Sequence, residues 1–175
     1  MVGASDRSRG VPRGVLSRSP ETLDRMQRAV SAEPPRESGP HRRSHEAVRP
    51  ASGARVLIVE PVPVLRTIIT RAFADRGHSV TAVATLDDMR RLLPSFDPHV
   101  VVCELTLSDG SGDNACRRLK SGGNKLRPVV LMSGVPEPEL MRRAMQAGAD
   151  RFHCKSRGLS ELIDLVEEIA GEIVF

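Results

Sequence analysis

Residues 55–73 read RVLIVEPVPVLRTIITRAF, and this stretch decides the fold. Arg55-Val56-Leu57-Ile58-Val59 is an unbroken apolar run rich in β-branched side chains, the mark of a strand buried on both faces of a sheet. Past Pro63 the spacing changes: Val64, Leu65, Ile68, Ile69, Ala72 and Phe73 recur at helical intervals, and Gly77 stands where a helix stops. A strand feeding straight into a helix is one βα unit, and the unit repeats downstream. Ser79–Ala84 reads as a second strand, and Thr85 with Asp88 as the cap of a helix carrying Leu86, Met89, Leu92 and Leu93. Val100–Leu105, Pro128–Ser133 and Arg151–Lys155 supply three more strands. Helices over 113–120, Pro138–Ala147 and Leu159–Ala170 follow them in turn. Five such units predict an α/β fold, an open parallel sheet with helices on both faces and its functional crevice at the carboxyl ends of the strands. The pattern alone leaves the winding order of the sheet open.

Upstream of residue 53 the composition is of another kind. Residues 1–52 hold ten arginines against six acidic residues, whereas 53–175 balance sixteen basic against sixteen acidic. All of the formal charge of +4 therefore belongs to the first stretch, which also holds six of the thirteen prolines and none of the four phenylalanines. So few large apolar groups cannot offset the entropy of ordering, and 1–52 is expected to be a disordered basic tail. Leu23, Met26 and Val30 mark a candidate short helix at 20–30. Arginines without interleaved aromatics make a weak, salt-sensitive signal for nucleic acid, so that class of partner is not favoured. No apolar run reaches membrane-spanning length and no apolar segment follows the first arginines, so the expectation is a cytoplasmic protein without membrane attachment. Cys103, Cys116 and Cys154 lack any paired spacing that would frame a zinc site or a disulfide scaffold. No base–nucleophile pair or cofactor loop is visible, so the chain is not read as an enzyme.

The strand ends carry the chemistry. The first strand ends in Glu60-Pro61, the third in Glu104-Leu105-Thr106, the fourth in Ser133-Gly134 and the fifth in Lys155-Ser156. Two carboxylates, a hydroxyl and an ammonium at one crevice suit phosphoryl or metal handling. His153 beside Cys154 is not a nucleophile pair, because neighbours in a strand point to opposite faces.

Four blocks, RVLIVEPVPVLR, PHVVVCELTLSDGSG, PVVLMSG and QAGADRFHCKS, resemble in order and spacing the receiver domain of bacterial response regulators, over residues 54–172. The resemblance implies a flavodoxin-like (βα)5 sheet of order 2-1-3-4-5. It also implies an aspartate at the end of the third strand that takes a phosphoryl group from a histidine kinase with the help of Mg²⁺. Glu104 falls on that aspartate, and Glu60 and Pro61 on the acidic pair that binds the metal. Thr106 falls on the residue that lends its carbonyl to the metal. Ser133, Phe152 and Lys155 fall on the hydroxyl, the aromatic switch residue and the lysine.

This sequence departs from the pattern where the chemistry is done. Pro61 offers no side-chain ligand, Glu104 is one methylene longer than the nucleophile it replaces, and Ser108 replaces a proline common in the following loop. Ser156 replaces a proline usually preceded by a cis bond; before a non-proline that bond costs about 2.5–4 kcal/mol, so a trans bond is expected. In-line transfer depends on positioning, and a displacement of about 1 Å can cost on the order of 10²-fold. The expectation is a stand-alone degenerate receiver without a cofactor, Glu104 paired with Lys155, signalling through protein partners, a histidine kinase or another signalling protein among them. Met141, Arg142 and Arg143 are its candidate partner surface, on the face through which the family usually signals. Inefficient phosphorelay on Glu104 or on Asp109 is the alternative.

Overall fold

The structure is a computed structural model and describes residues 53–122 and 127–173. The expected tail at 1–52 and its candidate helix at 20–30 lie outside the described residues. Chain order runs β1 (Arg55–Val59), α1 (Pro63–Asp75), β2 (Ser79–Val83), α2 (Leu86–Phe96), β3 (Val100–Glu104), β4 (Thr106–Leu107) and β5 (Gly110–Ser111). It continues with α3 (Gly112–Ser121), β6 (Val129–Ser133), α4 (Glu137–Ala147), β7 (Arg151–Cys154), a 3-10 turn (Lys155–Arg157) and α5 (Leu159–Ile173). Five strands form a parallel sheet of order β2-β1-β3-β6-β7, the flavodoxin-like winding. The three central strands, RVLIV, VVVCE and VVLMS, are buried almost throughout, which explains why they read as continuous apolar runs instead of alternating ones.

Alternation sorts their side chains between two layers. Val56, Ile58, Val100, Val102, Val130 and Met132 pack with Ile69 and Phe73 of α1 and with Leu162, Val166 and Ile169 of α5. On the opposite face, Leu57, Val101 and Leu131 are buried beneath α2, α3 and α4, which supply Leu86, Met89, Ala115, Cys116, Leu140 and Ala144. Helix α1 departs from the expected pattern: Val64 and Ile68, read as part of its apolar set, are 69% and 51% exposed. The segment after β3 also holds a feature the sequence pattern missed, a two-rung antiparallel hairpin pairing Thr106 with Ser111 and Leu107 with Gly110. The fifth strand stops one residue early, at Cys154, and Lys155 opens the 3-10 turn.

Two histidines close the opposite end of the sheet. The Ala54 and Arg55 amides donate to Nδ1 of His78 and of His99, each at 3.2 Å, so these ring nitrogens must be unprotonated. Burial, aided by Arg55, lowers the pKa of His99 below the ordinary 6.5, and burial does the same for His153. A histidine depressed in the folded state stabilises the fold above its unfolded pKa and loses that contribution as pH falls through the folded value. Denaturation midpoints followed from about pH 7 down to about pH 5 are therefore expected to fall, and His99→Gln is expected to flatten the slope.

Candidate functional site

Strand register brings the sequence-chosen residues to one edge. Val59 is level with Cys103, Glu104 with Met132, and Ser133 with Cys154, so Glu60, Glu104, Ser133 and Lys155 leave the sheet together. Glu60 is fully buried and Glu104 is 5% exposed. Lys155 bridges them: its Nζ lies 2.7 Å from Glu60 Oε2 and 2.6 Å from Glu104 Oε2. The first contact is a hydrogen bond. The second is a close ion pair off the hydrogen-bonding direction, which leaves Glu104 Oε2 buried with no hydrogen-bond donor. Burial disfavours the Lys155 charge, but the two carboxylates outweigh it and raise its pKa above the ordinary lysine value.

The other carboxylate oxygens are taken by the backbone. Glu104 Oε1 accepts from the amides of Leu105 at 2.9 Å and Thr106 at 3.2 Å, so the longer side chain folds back on its own loop. Glu60 Oε1 accepts from Val62 N at 3.0 Å. Ser133 is buried and caps its own turn, accepting from Val135 N at 3.5 Å. Thr106 is exposed and Phe152 half-buried. The bond after Lys155 is trans, as are all peptide bonds of the described residues.

Sequence reasoning gave Arg66 no role. From the first turns of α1 its Nη1 donates to the carbonyls of Glu60 at 2.7 Å and Pro61 at 3.2 Å, placing a second cation at the rim. The one signal was its place at the end of the RVLIVEPVPVLR block, six residues past Glu60. The donors around Glu60, Pro61 and Glu104 are already partnered within the chain. Hard cations need several oxygens, yet Lys155 holds both Glu60 and Glu104, Arg66 holds the two loop carbonyls, and Pro61 adds nothing. Among the described residues no three His, Cys, Asp or Glu side chains are grouped to hold a metal.

Two further candidates are redefined by their contacts. Asp109 accepts from the amides of Leu86 at 3.1 Å and Asp87 at 3.0 Å, while Thr85 takes the Asp88 amide at 3.1 Å. Three of the four open amides of α2 are thus satisfied, two of them by a carboxylate borrowed from the β4–β5 hairpin. With both oxygens so employed, Asp109 is a helix cap, and Asp109→Ala is expected to lower stability by roughly 0.5–2 kcal/mol in denaturant titrations. Arg143 is ion-paired within the fold: its Nη2 lies 2.9 Å from Asp113 Oδ2. Burial works against the Asp113 charge, but the Ser111 hydroxyl and Arg143 outweigh it and hold the carboxyl below the usual range. Of the three expected surface residues Arg142 is exposed, Met141 is half-buried and Arg143 ties α4 to α3.

A doubly wound five-strand sheet with acids, a hydroxyl and a lysine at its carboxyl edge is the arrangement of a receiver domain. The sequence profile described as "Response regulator receiver domain" matches residues 56–167, and the chain belongs to that family. It is 31% identical over 121 residues to the response regulator GacA of Pseudomonas aeruginosa, covering 67% of this chain and 56% of that protein. It is 26% identical over 163 residues to the sensory/regulatory protein RpfC of Xanthomonas campestris pv. campestris, covering 91% of this chain and 21% of that protein. The chain thus spans about half and about a fifth of these two relatives. Among solved structures, a LuxR-family two-component response regulator from Aurantimonas sp. superposes with a TM-score of 0.63 at 27% identity, covering 69% of this chain and 87% of that one. Chemotaxis response regulator CheY4 of Vibrio cholerae gives 0.62 at 16% identity, covering 67% and 99%, a likeness of fold alone. No helix of the described residues is long and apolar enough to cross a membrane.

Proposed function

We propose that this is a degenerate receiver: a signalling domain that works by protein contact, without phosphoryl transfer, catalysis or a resident cofactor. The observation that carries the reading is the state of Glu104. Every oxygen it would use as a nucleophile is engaged, Oε1 by two amides and Oε2 by the Lys155 ion pair, and Pro61 supplies no side-chain ligand for Mg²⁺. The Glu104–Lys155 contact reproduces part of what an acidic phosphoryl group would offer that lysine, with one negative charge in place of about two. The domain is thereby held in one state by its own sequence. Receiver domains work with histidine kinases or other signalling proteins, and a partner of this chain would read that fixed state. Arg142 and the half-buried Met141 remain the residues offered to it on α4. Phosphorelay on Asp109 gains no support, since that carboxylate is spent on capping α2.

Amide NMR spectra recorded with and without Mg²⁺ and a small phosphodonor test this reading. Unchanged signals at Ser133, Phe152 and Lys155 are expected; a second set of signals there, growing with phosphodonor, would contradict it.

A further inference from the structure

The segment after Glu104 leads, contact by contact, to the helix offered to partners. Glu104 Oε1 accepts from the amides of Leu105 at 2.9 Å and Thr106 at 3.2 Å. Thr106 pairs with Ser111 across the β4–β5 hairpin, and the Gly112 amide returns to the Leu105 carbonyl at 2.9 Å. The Ser111 hydroxyl, one residue before α3, donates to Asp113 Oδ1, which also accepts from Asn114 N at 2.8 Å. The other oxygen, Oδ2, accepts from Nε of Arg143 on α4 at 2.9 Å and lies 2.9 Å from its Nη2. Arg117 Nη2 stands farther off, at 3.8 Å.

Two physical features make this path stiff. Gly112 lies so close to Glu104 that a Cβ on it would stand 2.2 Å from the Glu104 carbonyl oxygen, so the start of α3 and that backbone must move together. Asp113 is 7% exposed, and a buried ion pair is costly to break, so α4 follows the start of α3. Neither Ser111 nor Asp113 is among the residues that the receiver resemblance assigns to the site. The Ser133 hydroxyl, which is one of them, accepts from Val135 N of its own turn at 3.5 Å.

We propose that Asp113 is the positioning residue of α4: through the β4–β5 hairpin and its ion pair with Arg143, it passes the placement of the Glu104 carboxylate on to that helix. The proposal rests on the degenerate-receiver reading and adds how the locked state of Glu104 is expressed at Met141 and Arg142, the two residues before Arg143. With Glu104 in place, the hairpin, the start of α3 and α4 share one arrangement. Removing its carboxylate leaves the Thr106 amide without that acceptor, loosens the hairpin and lets α4 open more often.

The test is native-state hydrogen exchange of the full chain. Amides of α4 from Leu140 to Ala144 are compared with those of α1 in the opposite layer, a ratio that cancels any uniform loss of stability. Glu104→Ala, in which Lys155 keeps Glu60 as its partner, is expected to speed exchange in α4 relative to α1 by about fivefold or more, the lower end of coupling between separate sites. Glu104→Gln keeps an oxygen for the two amides and is expected to leave the ratio within about twofold of wild type. Asp113→Asn is expected to loosen α4 by itself, and adding Glu104→Ala to it is then expected to change the ratio by less than about twofold. Should Asp113→Asn fail to fold, Arg143→Met cuts the same tie from its more exposed side and is expected to erase the response to Glu104→Ala. Arg143→Lys, which keeps a cation for Asp113, is expected to retain that response. An equal response with and without the Asp113–Arg143 tie would overturn the proposal, as would no response to Glu104→Ala when the tie is intact. Phosphoryl transfer to Glu104 would instead sink the reading beneath it and leave this coupling standing.

Discussion

Lys155→Met, measured in denaturant without divalent ions, is expected to lose about 3–5 kcal/mol of folding stability, because breaking a buried ion pair leaves the surviving charge unsolvated. Here two carboxylates are stranded, Glu60 fully buried and Glu104 5% exposed. Against a total of about 5–15 kcal/mol for a domain, that loss is a large share. Removing one acid instead is expected to be gentler, since Glu104→Gln leaves Lys155 paired with Glu60 and keeps an oxygen for the amides of Leu105 and Thr106. If Lys155→Met were neutral, the bridge would be a surface contact of no weight, and the account of a rim locked by charge would lose its support.

Gly112→Ala is the second large effect expected, at the upper end of the about 1–3 kcal/mol usual for overpacking. A Cβ on Gly112 would stand 2.2 Å from the Glu104 carbonyl oxygen and 3.1 Å from Cys103 Sγ. The nearer atom is backbone, which cannot swing aside, and the Gly112 amide is itself tied to the Leu105 carbonyl at 2.9 Å. The hairpin that follows Glu104 must therefore shift, and with it the amides that hold the Glu104 carboxylate. Gly134→Ala is the control, because a Cβ there meets nothing within 4 Å. Denaturation of the two variants should separate them, and amide shifts at Leu105 and Thr106 should move only in Gly112→Ala.

The fold was legible because three strands carry unbroken apolar runs and each is followed by a helical stripe. Winding order needed the four motif blocks, since the same alternation of strands and helices suits several sheets. The Glu104–Lys155 pair was legible from position, since both residues end strands of one parallel sheet. That Glu60 shares the same ammonium was not, because composition cannot say which of two acids a flexible lysine reaches. Arg66, Asp109 and Asp113 act through main-chain amides, carbonyls and a neighbouring helix, and such contacts leave no periodic trace. Val64 and Ile68 misled for the opposite reason: helical spacing identifies a helix, but a wide apolar stripe does not say which of its edges meets the sheet.

Incubation of the wild-type chain with Mg²⁺ and a labelled small phosphodonor, followed by intact-mass and peptide analysis, tests most directly whether this rim has given up phosphoryl chemistry. The account predicts a chain that stays unlabelled, with Glu104 unmodified. A phosphoryl group found on Glu104, and lost in Glu104→Ala, would contradict it.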